Sequence, residues 1–235
     1  MKRLVFISDT HNKHKQINLP EGDILIHGGD ITSMGYEHEV RSFIWWFQNI
    51  KNFDYKLFIA GNHDLSFENK PDWIFHYINN ENLSQSDCDY LEDNELSINN
   101  ETNNIKIYGS PWQPEFCDWG FNLPRNGDKL KEKWDMIPID TDILITHGPP
   151  QTILDSAGPP INKPLLGCEL LLDRVKEVKP KIHVFGHIHS ARGVKYVNDT
   201  LFVNASVLNE QYQYVYKPIV IDYDFMTNEW EIVDM

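Results

Sequence analysis

The chain has 235 residues, 41% of them hydrophobic and 24% charged, with a formal net charge of −14. That is the composition of an ordinary globular protein, and with no linker or low-complexity tract dividing it, residues 1–235 read as a single domain. No apolar run approaches the roughly 18–20 residues that would span a bilayer, and the acidity argues against an extended nucleic-acid partner, whose grip needs a basic face.

The run Lys2-Arg3-Leu4-Val5-Phe6-Ile7 imitates the start of a signal peptide. Its apolar stretch stops at Ser8-Asp9, short of the ~7–15 residues of a signal core. It therefore reads as a first strand, Leu4–Ile7, of an intracellular, cytoplasmic protein. Runs of β-branched and aromatic residues predict further strands at Asp23–His27, Lys56–Ala60, Ile105–Tyr108, Asp142–Thr146, Lys181–Phe185, Leu201–Asn204 and Ile219–Tyr223. Several are continuously apolar, which implies burial on both faces. A helix is expected over Glu37–Asn49, where Val40, Phe43, Ile44 and Phe47 share one face, and another over Gly167–Val178, ended by Pro180. The pattern from Asp64 to Asn100 is weaker.

The stretch Gly109–Pro124 is dense in aromatics, Pro and Gly, without a period. With Trp112, Phe116, Trp119 and Phe121 it is too apolar for disorder and reads as a functional loop. Pro149-Pro150 and Gly158-Pro159-Pro160 mark a second long loop, directly after His147. Cys88, Cys117 and Cys168 are far apart and odd in number, so neither a disulfide framework nor a thiolate metal site is expected. The Asn-X-Ser/Thr triplets at Asn82 and Asn198 carry no meaning without an export signal. Alternation of strands and helices implies an α/β fold, in which ligands sit beyond the carboxyl ends of the strands.

Five short patches follow apolar runs at such ends: Asp9-Thr10-His11, Gly28-Gly29-Asp30, Gly61-Asn62-His63-Asp64, Thr146-His147-Gly148 and Gly186-His187-Ile188-His189. Singly, each has an ordinary explanation as a polar turn or a loop histidine. Jointly, five accidents at strand ends are improbable. The patches offer two carboxylates, one amide oxygen and four imidazoles, with His63 and the Asp64 after it left over. That is the inventory for two divalent cations sharing one carboxylate, a pair that makes hydroxide from water at neutral pH and clamps a phosphoryl displacement. Mixed N/O ligation without thiolate suits Mn, Fe, Zn or Co. His63 could donate a proton or contact phosphate, and Asp64 could hold its imidazole. His27 and His183, inside strands, read as core residues or partners of the ligands. His14, His38 and His76 read as surface.

From Asp9 to Asn204-Ala-Ser206 the order of these patches resembles the calcineurin-like metallophosphoesterase superfamily. The segments Gly109-Ser-Pro-Trp, Trp119-Gly-Phe-Asn-Leu-Pro and Thr146-His-Gly-Pro-Pro150 look like one branch of it, the small metallophosphoesterase-domain proteins related to class III cyclic nucleotide phosphodiesterases. The resemblance implies a four-layer α/β/β/α sandwich of two mixed sheets, with the dimetal site at strand ends. It implies that Asp9, His11, Asp30 and His189 hold one metal and Asp30, Asn62, His147 and His187 the other. It also implies that His63, supported by Asp64, contacts the phosphate or protonates the leaving group. The expected activity is hydrolysis of a small phosphate ester by a metal-bridging hydroxide, a phosphodiester more than a monoester. Asn62, His63, Trp112 and Phe116 are the expected substrate contacts. The loop Pro111–Pro124 is expected to wall the mouth and favour a flat organic group, such as that of a 2′,3′- or 3′,5′-cyclic nucleotide, since a base stacks on an aromatic face for roughly 1–3 kcal/mol. The alternatives are a nuclease of the same chemistry and a non-catalytic interaction scaffold. No feature of the sequence indicates an oligomeric state.

Overall fold

The computed structural model describes residues 1–80, 88–99, 104–157 and 165–235. Asn82 and the Gly158-Pro159-Pro160 triplet lie outside them. In chain order the strands are β1 (Lys2–Ile7), β2 (Ile24–His27), β3 (Tyr55–Phe58), β4 (Cys88–Tyr90), β5 (Asn94–Asn99), β6 (Asn104–Ser110), β7 (Gln113–Pro114), β8 (Asn122–Leu123), β9 (Ile143–Thr146), β10 (Ile182–Phe185), β11 (Gly193–Val197), β12 (Thr200–Asn204), β13 (Ile219–Tyr223) and β14 (Trp230–Asp234). The helices are α1 (Glu37–Asn49), α2 (Leu65–Asn69), α3 (Pro71–Asn80), α4 (Asp128–Asp135) and α5 (Glu169–Val178). All eight expected strands are present, within a few residues of the expected bounds.

Two six-stranded mixed sheets carry the fold. The first runs β14-β13-β1-β2-β3-β4 and the second β11-β12-β10-β9-β6-β5. The strands β1 to β4 are mutually parallel, with β4 at one edge, as are β6, β9, β10 and β12, while antiparallel β13 and β14, β11 and β5 close the other three edges. Strand periodicity sends alternate residues to opposite faces, and the apolar residues divide accordingly. Leu4, Phe6, Ile24, Ile26 and Leu57 meet Ile107, Ile143, Ile145, Val184 and Val203 between the sheets. Val5, Ile7, Leu25 and Phe58 face outward onto Val40, Phe43, Ile44 and Phe47 of α1. Tyr108, Leu144 and Phe202 face outward onto Leu130 and Trp134 of α4 and Leu171, Val175 and Val178 of α5. Strands β2, β9 and β10 are buried at every position, as their continuous hydrophobicity requires. Each buried apolar side chain of this size contributes about 1.5–3 kcal/mol, and the result is a helix–sheet–sheet–helix sandwich.

The second expected helix begins two residues later than its periodicity suggested. Cys168 is its N-cap, its Sγ accepting from the Leu171 amide, and the helix stops where Lys179 turns left-handed, φ 51°, just before Pro180. His14 differs from expectation too. It is buried against Phe43 and Trp46, with Nε2 on Ser42, and burial holds it down to about 4.

Candidate metal centre

The central parallel strands of the two sheets end side by side, and every expected ligand lies in the loop just after one of them. Asp9 and His11 follow β1, Asp30 follows β2, Asn62 follows β3, His147 follows β9, and His187 and His189 follow β10. Their donor atoms gather in overlapping groups: Asp9, His11 and His189; His11, Asp30 and His63; and Asp30, His147 and His187. One carboxylate oxygen, Asp30 Oδ2, lies 3.5 Å from His11 Nε2 and 3.4 Å from His147 Nε2. Asp30 thus stands between the two ligand sets. Asn62 Oδ1 accepts from His147 Nε2 at 3.0 Å and from His187 Nδ1 at 2.9 Å.

Backbone carbonyls aim the rings. His11 Nδ1 donates to Thr32 O, His147 Nδ1 to Gly28 O and His189 Nδ1 to Asn209 O, at 2.9–3.0 Å. Metal-ligating histidines are held in this way, the second nitrogen being left for the ion. His11 Nε2 is buried without a hydrogen-bond partner. A lone pair stranded among carboxylates in this way fits a cation, since an orphaned buried acceptor otherwise costs about 1–3 kcal/mol. Asp9 is fixed by the His187 amide and the Ser206 hydroxyl.

The loops adopt backbone conformations that side chains usually avoid. Asp9, His11, Asp30 and His187 all have positive φ, between 38° and 65°, a strain that clusters at functional sites. Two glycines make room for the carboxylates. A Cβ on Gly61 would lie 2.3 Å from Asp30 Oδ1, and one on Gly186 would lie 2.0 Å from Asp9 Oδ2.

Without an ion, protons balance the charges. Burial disfavours charge on His147 and His189, but the Asp30 and Asp9 carboxylates beside them outweigh it and raise both to about 9. Burial alone would raise Asp9 and Asp30; the facing His189 and His147 hold both below the usual carboxylate range instead. Burial lowers His11 and His187 to about 4.

The remaining site residues divide. His63 lines the same cavity as Asp30, Asn62, His187 and His189, about 200 Å³ in volume, and its Nδ1 donates to Ser33 O at 2.7 Å. Asp64 does not hold that ring. It is fully buried and accepts from the amides of Gly61, Ile31 and Thr32 and from the Thr32 hydroxyl, so it ties the loop after β3 to the loop after β2. Burial pushes it up to about 6. Phe116 lines the cavity, its ring 6.2 Å from that of His187. Trp112 is not among the lining residues. Its indole donates to Asp93, and its ring packs on Phe121 under Lys133, because Ser110 and Lys133 draw the same carboxylate to that spot. Two further aromatics stand beside the site: Trp119, read from sequence only as one of the loop's apolar residues, and Tyr212, not singled out there. Trp119 stacks on His63 at 4.0 Å, and Tyr212 packs its ring 4.9 Å from His11 and 5.3 Å from His189. The turn Asn209–Gln213 that carries Tyr212 is built on the Asn209 side chain, and a single Asn ahead of Glu-Gln-Tyr-Gln gave no clear signal of it.

Two mixed sheets face to face, helices outside, and a carboxylate–imidazole cluster where their central strands end together define a metallophosphoesterase fold. A family model described as calcineurin-like phosphoesterase matches residues 2–191, and the chain belongs to that family of phosphoester hydrolases. It is 45% identical over 237 residues to human metallophosphoesterase domain-containing protein 1, covering 94% of this chain and 70% of the human one. It is 36% identical over 244 residues to the Caenorhabditis elegans UPF0046 protein T07D4.2, covering 94% of this chain and 59% of that protein. Among solved structures, phosphopantetheinyl hydrolase from Mycobacterium tuberculosis superposes with a TM-score of 0.59 at 15% identity, covering 89% of this chain and 90% of that one, a likeness of fold alone. Among the described residues no helix is long and apolar enough to cross a membrane.

Proposed function

We propose that the protein hydrolyses phosphodiesters with two divalent ions held by Asp9, His11, Asp30, Asn62, His147, His187 and His189. The observation that carries this is Asp30 Oδ2, one carboxylate oxygen within 3.5 Å of imidazole nitrogens from both ligand sets. A single-ion site has no need of such a bridge. Bound ions would supply a nucleophile from water at neutral pH and offset phosphoryl charge; the ligand types suit Mn, Fe, Zn or Co.

The chain's own residues do the rest. Asp9 and Asp30 supply the negative charge that the ions require, and both are kept ionised by their histidine partners. His63, with Nδ1 spent on Ser33, has Nε2 free to protonate a leaving oxygen, a contribution of about 10²–10⁴-fold. Asn62 and His63 bound the phosphate end of the cavity, while Phe116 and the half-exposed Tyr212 offer ring surface at its rim. That rim supports a substrate with a flat organic group, such as a cyclic nucleotide, over a bare phosphomonoester. The whole chain, 1–235, acts as one domain in this reading, since β13, beyond the matched residues, pairs with β1 and completes the first sheet.

The test is turnover of phosphomonoesters, phosphodiesters and cyclic nucleotides after chelation and after adding back Mn²⁺. Activity confined to the metal-restored protein, and higher on diesters, is expected. Full activity in the chelated protein would sink the proposal.

A further inference from the structure

The aromatic loop and the catalytic turn are fastened together at one point. Trp119 lies at the far end of the loop between β7 and β8, fifty-six residues beyond His63 (119 − 63). Its indole stacks on the His63 imidazole with centroids 4.0 Å apart and planes 27° from parallel. The next amide, Gly120 N, donates to Asn62 O at 2.9 Å, and Phe121 N donates to Glu68 on α2 at 2.7 Å. Trp119 is therefore tethered to the residue just before His63. A Cβ on Gly120 would stand 3.2 Å from Asn62 O, so the approach has little slack.

The geometry around His63 shows why a stacking partner matters. Its ring makes one hydrogen bond, Nδ1 to Ser33 O. One bond fixes a point on the ring and leaves the plane free to swing about it. The Trp119 face stacked on the ring limits that swing, and His11, meeting His63 at 83° and 4.6 Å, and Tyr212, at 61° and 6.2 Å, crowd it further. With the plane fixed, the ring keeps a nitrogen within 4.8 Å of donor atoms of His11 and Asp30, at the cavity that His63 lines. Pre-set geometry of this kind is where a displacement of about 1 Å can cost roughly 100-fold in rate.

We infer that Trp119 is a positioning residue that holds the His63 imidazole in its proton-donating orientation. The inference rests on the acid role proposed for His63. In that step the oxygen of a hydroxide, its proton already lost to solvent, forms a new bond to phosphorus, the bond to the leaving oxygen breaks, its electron pair takes the proton from His63 Nε2, and His63 regains a proton from solvent.

The experiment compares wild type, W119A, W119F and H63A on a series of methyl aryl phosphates, with leaving groups running from p-nitrophenol to phenol. A phenolate that leaves easily needs no proton; phenol itself does. W119A should lower kcat for the phenyl ester about 10-fold or more while changing the nitrophenyl ester and KM little. W119F should restore the wild-type leaving-group slope, and metal content should match wild type in both variants. A readout independent of turnover is the ring N–H proton of His63 in the zinc-loaded protein by NMR. It should be sharp in wild type and W119F and broadened by exchange in W119A. If H63A steepens the slope and W119A does not, the inference is overturned while the acid role stands. If H63A leaves the slope unchanged, the acid role fails, and the inference falls with it. A sharp His63 ring proton in W119A overturns the inference on either count.

Discussion

The two sheets contribute unlike halves to one site. Loops of the first sheet supply both proposed ligand carboxylates, the amide and a single proposed ligand imidazole; loops of the second supply three such imidazoles and no acid. The ion-free charge pairs reflect this. His147 with Asp30 and His189 with Asp9 cross from one sheet to the other, and both histidines are raised to about 9. His11, on the acid side, is lowered by burial to about 4 although it also faces Asp30. Beneath this asymmetry lies a repeated device. In the first sheet His27 of β2 donates through Nε2 to the Thr10 hydroxyl, next to His11. In the second, His183 of β10 donates to the Thr146 hydroxyl, next to His147. Each buried strand histidine steadies the residue before a ligand. The halves are built alike and charged oppositely, so protons or metal ions balance the charge between them.

The sharpest way to break this comparison is to remove a ligand from each half. Asp30→Ala should leave neither ion bound, and activity should fall well beyond the roughly 10–100-fold that changes behind the ligands cost. His187→Ala should lose one ion and keep the other. Elemental analysis beside the rate checks both, and equal metal loss in the two variants would mean that Asp30 does not bridge.

Proton balance gives the next largest effect. A group raised in the folded state lends stability that is complete below its unfolded value and fades as pH climbs through the folded one. For His147 and His189 that window runs from 6.5 to about 9. The chelated protein should therefore lose Tm between pH 7 and 9, while the metal-loaded protein, already rid of those protons, should hold steady. Metal affinity should rise over the same window, by up to about tenfold per pH unit for each proton displaced. Parallel Tm curves for the two forms would contradict the crossed pairs.

Replacing the buried strand histidines should have smaller effects, and opposite addresses. His27→Gln should weaken the ion nearer His11, and His183→Gln the ion nearer His147, each by about 10-fold. Calorimetric titration with two resolved sites separates them. The smallest effects belong to Phe116 and Trp112 in the aromatic loop. Phe116→Ala should raise KM for a cyclic nucleotide about 5-fold with Tm unchanged. Trp112→Ala should lower Tm and leave KM alone, because its ring is tied to Asp93 and Phe121 rather than to the cavity.

What the sequence made legible follows from physics that acts locally. The eight expected strands are those whose apolar runs are buried by the sandwich itself. Of the strands not foreseen, β4, β5, β11 and β14 sit at sheet edges and are largely half-buried or exposed, so their hydrophobic pattern is faint, and β7 and β8 are only two residues long. Helix α4 buries only Leu130 and Trp134 in a run of charged residues. The expected ligands sit at strand ends, where a polar residue interrupts an apolar run. Their orienting partners were hidden, because a backbone carbonyl such as that of Ser33, Thr32 or Asn209 has no letter of its own. Asp64 was misread for the same reason: adjacency to His63 suggested contact, while its real partners are amides some thirty residues earlier.

Gly61 and Gly186 bear on how relatives of this protein should be read. Neither has a backbone that only glycine could adopt; each occupies a place where one extra carbon would collide with a carboxylate proposed as a ligand, Asp30 or Asp9. Their function is absence of volume. A chain could keep every ligand letter and still lose the site through an alanine at either place. Counting ligands is thus an incomplete test of whether a member of this family can hold its ions; the count must include the empty space beside Asp9 and Asp30.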